Sequence, residues 1–236
     1  MATGGNFMSD GMGTAFSSKL IEDENSGGYA WSGPSGNVYY PNHTISEIEN
    51  IMQEFMGIDT YIIMETLPYD GIHHIDMHMK LLDEQTILMA EYPSGVADGP
   101  QIEANLQYIL NNYNSAFGTA YKVVRIPSPP SSGGYSPDNN GYYRTYTNSV
   151  FLNNTVLVPF YREEYDTIAQ RIYEEALPGY NIIGIDVDDS GTNLISYSGA
   201  IHCITHSVGI DEPLLIQHQS LEDTSSKLYS ISQYTA

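Results

Sequence analysis

The sequence predicts an α/β fold assembled from repeated ββαβ-type units, and three observations carry that expectation. Apolar runs of strand length alternate with amphipathic segments of helix length. The alternation recurs three times along the chain. The 236 residues, 41% of them hydrophobic, suffice to bury one full domain, or one domain with a fragment of a second.

In the first unit, residues 46–56 read as a helix because Ile48, Ile51, Met52 and Phe55 fall on one face, and residues 61–65 follow as a strand. The second unit reads as a strand over 86–92, a helix over 102–117 and a strand over 121–126. In the third, residues 155–160 form a buried strand and 181–187 another. Between them 163–177 is a helix with acidic residues in its first turn and Pro178 just past its end, where the ring cannot continue it.

Two stretches, 22–43 and 127–143, read as long loops, punctuated by Gly27-Gly28 and Gly33-Pro34 in one and by Pro129-Pro130 and Gly133-Gly134 in the other. Loops of that length are binding loops or lids as often as surface insertions. Beyond residue 211 the pattern changes. Residues 214–219 and 227–234 alternate with no helix between them, which predicts that a separate β domain starts over 212–236, after a principal domain spanning 1–211.

Charge and cysteine content narrow the function. Eight Lys and Arg face 29 Asp and Glu, and the net charge of -21 repels phosphate backbones and anionic lipids, so nucleic-acid and membrane binding are disfavoured. The same field draws in cationic substrates, although a solvated acidic surface that serves solubility has this composition too and is the first reading. A single cysteine, Cys203, excludes an internal disulfide framework and a cysteine-rich zinc site. No run of about 18 apolar residues exists to span a membrane. The N-terminal residues lack the charged and apolar regions of a signal peptide, so this chain is not expected to direct its own export.

Three clusters could carry chemistry. Residues 70–78 (Asp-Gly-Ile-His-His-Ile-Asp-Met-His) hold three histidines and two acids. Read as a strand, they place His74, Asp76 and His78 on one face. That spacing suits a catalytic pair, a metal site completed by His43, His202 or His206, or a satisfied polar strand end. Residues 197–206 lead from a small-residue turn into a short strand bearing Cys203 between His202 and His206, which could stabilise a thiolate; taken alone, a cysteine in an apolar run is more often core. Asn148, where the chain leaves the second long loop, is by default a turn residue.

In order, Gly4-Gly5-Asn6-Phe7-Met8-Ser9-Asp10-Gly11, His74-Ile75-Asp76-Met77, Thr147-Asn148-Ser149, Leu157-Val158-Pro159, Gly184-Ile185-Asp186 and Gly199-Ala200-Ile201-His202-Cys203-Ile204-Thr205 resemble the agmatine deiminase and bacterial peptidyl-arginine deiminase superfamily, over roughly residues 4–211. The resemblance implies the pentein α/β propeller, five ββαβ modules about a pseudo-fivefold axis, here incomplete at its N-terminus, with the 212–236 segment beginning an immunoglobulin-like domain. It further implies Cys203 as nucleophile, His74 as general acid and base, Asp76 as guanidinium ligand and Asn148 completing the site, with Asn6 and His202 joining Asp76 in substrate binding. A guanidinium is a resonance-stabilised cation and a poor electrophile, so a carboxylate must localise its charge while a thiolate attacks the central carbon. No metal or organic cofactor is required, which leaves room only for a structural cation.

The family's second guanidinium-binding aspartate lies upstream of the Gly-Gly-Asn motif, so the resemblance implies that upstream propeller modules are needed for activity. It also implies a secreted or periplasmic protein. The expected reaction is deimination of arginine in peptides or proteins to citrulline. A β pattern after the nucleophile favours that substrate, with agmatine deimination as the alternative and a truncated, non-catalytic module as the reading from another class. His73 occupies a position where the family commonly has a small or polar residue.

Overall fold

The computed structural model describes residues 2–33, 36–188, 194–197 and 199–205, by backbone alone at 28–33 and 36–40. The three expected units are present. The first comprises β1 (Met8–Ser9), β2 (Thr14–Ser18), α1 (Leu20–Glu24), β3 (Ser26–Gly33), β4 (Gly36–Asn42), α2 (Ile45–Met56) and β5 (Thr60–Met64). The second comprises β6 (Met79–Asp83), β7 (Thr86–Glu91), α3 (Gly99–Asn112) and β8 (Lys122–Pro127). The third comprises β9 (Val150–Leu152), β10 (Thr155–Phe160), α4 (Glu163–Ala176) and β11 (Asn181–Asp186).

Each unit folds the same way. Its first strand pairs antiparallel with its second, and a helix then crosses to a third strand lying parallel to the second, giving sheets ordered β1-β2-β5, β6-β7-β8 and β9-β10-β11. Parallel neighbours need such a crossover, because no tight turn can return the chain to the same end of the sheet. Two middle strands are covered on both faces: β2 is buried throughout, although Thr14, Ser17 and Ser18 are polar, and β7 is buried from Thr86 to Ala90. Local chemistry fixes the helix ends. Thr44 and Glu47 close a reciprocal capping box at the start of α2, and Gly57 ends it at φ 67°, a conformation that suits glycine.

Neighbouring units share cores. Phe16, Ile62 and Met64 of the first pack with Ile87, Met89, Ile102 and Leu106 of the second. Leu88 and Ile126 of the second pack with Val156, Val158, Ala169 and Tyr173 of the third, together with Ala200 and Ile201 beyond it. The segments that lead into the units are therefore clamped between hydrophobic clusters, and it is these segments that carry the site.

Several expectations are corrected. Residues 22–43 are not a loop: they form the end of α1 and the β3–β4 hairpin. Gly27, at φ 78°, lets the backbone approach Asn42, where an added Cβ would come within 3.0–3.2 Å of three atoms. Residues 74–78 and the Cys203 segment are not strands but single turns of 3₁₀ helix, Ile75–Met77 and His202–Ile204. The second long loop is largely irregular as expected, but it is fastened down. Arg162 donates to the Pro130 carbonyl at 2.6 Å, and the Ala97 amide donates to Asp138 at 2.8 Å. The β domain expected over 212–236 lies outside the described residues. Among the described residues no helix is long and apolar enough to cross a membrane.

Candidate active site

Four segments converge: the 3₁₀ turn Gly4–Asn6 ahead of β1, Ile75–Met77 ahead of β6, residues 144–149 ahead of β9, and His202–Ile204 beyond β11. Three of them occupy the same place in successive repeats, immediately before a unit's first strand. The repeat itself thus delivers one face of the site from each unit.

Asp76 sits at the centre, fully buried. Its backbone carbonyl accepts from the Thr147 hydroxyl at 2.9 Å. Its Oδ2 accepts from His202 Nδ1 at 2.6 Å and lies 3.7 Å from Cys203 Sγ, whereas Oδ1 accepts no hydrogen bond among the described residues. The turn that presents it is set by His73, which adopts φ 57°, in the left-handed region that non-glycine residues seldom enter. Ser18 holds that geometry by donating to the His73 carbonyl at 2.6 Å, and this gives the unusual His73 a backbone role.

Asn148, also fully buried, shapes the cysteine turn. Its Oδ1 accepts from the backbone amides of Ala200 (3.1 Å), His202 (3.0 Å) and Cys203 (3.4 Å), while Nδ2 donates to Cys203 Sγ at 3.1 Å. The segment bearing Asn148 is buried from Arg144 to Val150 and anchored by the ion pair of Arg144 with Asp188 at 2.7 Å. The hydroxyl of Tyr161 accepts from the Thr145 amide at 3.0 Å.

Cys203 as a residue is exposed, yet its sulfur is hemmed in by Asp76, Asn148 and Gly199. A Cβ on Gly199 would stand 2.9 Å from that sulfur, so the glycine is needed for close approach. Burial, and then the Asp76 charge, push the thiol up to about 11, against the pull of the Asn148 amide.

His74 is half-buried beside Asp76. A Cβ on Gly5 would lie 2.5 Å from His74 Nδ1 and 3.0 Å from Asp76 Oδ2, so Gly5 is wedged against both side chains.

The structure therefore brings Cys203, Asp76, Asn148 and His202 into direct contact and sets His74 beside them. Two candidates behave differently. The Asn6 amide is committed to the backbone of Ser18, accepting from its amide at 2.8 Å and donating to its carbonyl at 3.3 Å, which makes it a brace for the residue that holds His73. His78 does not share a face with His74, because the turn rotates it into the core. It is buried, neither ring nitrogen has a partner among the described residues, and burial pushes its imidazole down to about 4. Among the described residues no three His, Cys, Asp or Glu side chains converge to hold a metal ion.

Sequence reasoning missed Ser18, which carries no signal of its own, and Lys80. The latter was visible as one of only eight basic residues, placed inside an apolar run.

The ββαβ units and the thiol–carboxylate–amide cluster define the class as the guanidino-group-modifying pentein superfamily, and comparison with known proteins agrees. The profile of the Porphyromonas-type peptidyl-arginine deiminase family matches residues 1–208, and the chain belongs to that family. A Legionella pneumophila protein assigned as an agmatine deiminase is 26% identical over 210 residues, covering 86% of this chain and 54% of its own length. A Vibrio parahaemolyticus protein with the same assignment is 25% identical over 190 residues, covering 71% and 50%. Among solved structures, the agmatine deiminase of C. jejuni superposes with a TM-score of 0.64 at 23% identity, over 86% of this chain and 54% of that one, a likeness of fold. The chain spans about half the length of the curated relatives it matches.

Proposed function

We propose that the protein hydrolyses a guanidinium group to a ureido group with release of ammonia. The observation that carries this reading is a fully buried carboxylate, Asp76, 3.7 Å from the chain's single thiol, with one oxygen that accepts no hydrogen bond among the described residues. A buried acceptor without a partner calls for explanation, and the planar N–H edge of a guanidinium supplies donors of the right geometry.

In this scheme Asp76 binds the guanidinium and holds its central carbon over Cys203. The free thiol is protonated at neutral pH, because burial and the Asp76 charge oppose its ionisation. A cation docked on Asp76 cancels that field, so the thiol passes its proton to His74 and the thiolate forms when substrate is present. Sulfur attacks the carbon, His74 protonates the departing nitrogen and ammonia leaves a covalent thiouronium. His74 then takes a proton from water as it attacks, and the C–S bond breaks to release the ureido product. Asn148 Nδ2 stabilises the sulfur's negative charge at both stages, and His202 orients Asp76 through its Nδ1.

Agmatine is the first substrate to test, since the similar curated proteins are assigned as agmatine deiminases. Arginine in peptides, the substrate in the matched family's description, is the second. The deciding assay is ammonia and ureido-product release by the intact polypeptide from agmatine, a C-terminal-arginine peptide and an internal-arginine peptide, beside Cys203→Ala. Turnover of agmatine that falls by at least about 10³-fold in Cys203→Ala is the expected result, the loss usual for a covalent nucleophile. Turnover confined to a peptide moves the assignment to peptidyl-arginine. No turnover of any of the three refutes the reading.

A further inference from the structure

Lys80 is a basic side chain in the middle of β6, 8% exposed and flanked by buried Met79, Leu81 and Leu82. Its ammonium donates to the Ser149 carbonyl at 2.7 Å and stands 5.9 Å from the centre of the Phe151 ring. A buried ammonium is costly, and an apolar side chain of the same volume would pack there at no such cost. Burial drives the lysine down to about 8, and the opposing influence is the negative charge of Asp76.

The Ser149 carbonyl that Lys80 holds directly follows Asn148, the residue that shapes the cysteine turn and donates to its sulfur. On the other side of the same segment the Tyr173 hydroxyl donates to the Tyr146 carbonyl at 2.7 Å and lies 2.9 Å from Ser149 Oγ. The titratable groups around the thiol and this lysine are Asp76, His74, His202 and His78, of which Asp76 acts on both.

We infer that Lys80 is a positioning residue: held on the Ser149 carbonyl, its ammonium fixes the Asn148 amide against Cys203 and offsets the Asp76 carboxylate behind the thiol. Its ammonium contacts the Ser149 carbonyl and the Phe151 ring and touches no reacting atom. The inference concerns the thiol itself and stands whichever guanidine is the substrate.

The test is the rate of Cys203 alkylation by iodoacetamide as a function of pH, in the intact polypeptide and in Lys80→Met, Lys80→Gln and Lys80→Arg. Cys203 is the single cysteine of this chain, so the adduct is read by mass at one site. Removing the charge is expected to slow alkylation about tenfold below about pH 8, where Lys80 is protonated, and to leave the rate above that pH little changed. Lys80→Arg keeps the charge and should stay near wild type below about pH 8. Lys80→Met is a near-isostere that relieves a buried charge and is expected to fold. Lys80→Gln retains a donor without charge and so separates hydrogen bonding from electrostatics. The inference is overturned if folded Lys80→Met or Lys80→Gln keeps the wild-type profile, or if Lys80→Arg shifts as far as Lys80→Gln. Because the readout is alkylation, its failure leaves the deimination assay to be judged independently.

Discussion

One carboxamide does most of the organising at the scale of single residues. Asn148 gathers three backbone amides of the cysteine turn on its oxygen and offers its nitrogen to the sulfur, and an aspartate in that place would lose the donor and add a charge beside Asp76. Gly5 has the complementary task of taking up no space. With a Cβ 2.5 Å from His74 Nδ1 and 3.0 Å from Asp76 Oδ2, Gly5→Ala must displace one or both side chains. The imidazole can swing aside cheaply, so the fold should tolerate the change while the site does not. A misplacement of about 1 Å can cost on the order of 100-fold in rate. Gly5→Ala is expected to lower guanidine turnover by roughly that factor with an unchanged thermal transition. Turnover within about threefold of wild type would mean that His74 is not held where the proton moves.

Helices and parallel strands, at the scale of elements, were legible because periodicity and end signals agree with tertiary burial. The 46–56 and 163–177 expectations fall within one residue of α2 and within a residue of α4. The β3–β4 hairpin was not legible: Ser, Gly, Tyr and Asn dominate it, and the same residues that mark turns here build strands whose register shifts between Tyr29 and Trp31. The turns of the candidate site failed for the opposite reason. His74-Ile75-Asp76-Met77-His78 alternates polar and apolar side chains as a strand does, and only the packing of Ile75 and Met77 into cores on either side makes it a 3₁₀ turn. The residues that the structure gathers around Cys203 stand in ordered motifs of the sequence, whereas Ser18 and Lys80 donate to backbone carbonyls, which no side-chain pattern announces. Element stability should be separable from the site. The Thr44 hydroxyl accepts from the Glu47 amide, and the Glu47 carboxylate accepts from the Thr44 amide at 2.8 Å, on a helix whose Ile48 and Met52 are buried. Thr44→Ala is expected to cost about 1 kcal/mol in urea unfolding. The alkylation profile of Cys203 should not change, and a shift in it would tie α2 to the site.

For the molecule as a whole, the shared cores make the second unit the keystone, and His78 lies at its most sensitive point. Met77, on one side of it, belongs to the core joining the second and third units; Met79, on the other, belongs to the core joining the first and second. A charge at His78 therefore enters both cores, and the expected consequence is global. Its imidazole is pushed down from 6.5 to about 4 by burial, which outweighs the attraction of Asp76. As pH falls from 6.5 towards 4 the unfolded chain takes up a proton that the folded chain refuses, so stability declines through that window and is fully present above it. The shift corresponds to roughly 3 kcal/mol, a substantial part of the 5–15 kcal/mol, roughly, that a domain possesses. Urea unfolding of wild type and His78→Leu at about pH 7 and about pH 4.5 isolates this contribution from the other titrating groups. Wild type is expected to lose roughly 2–3 kcal/mol more than the variant between the two conditions. Equal losses would show that His78 finds a partner or solvent for its proton in the folded state, and would remove it from the joint between the two cores.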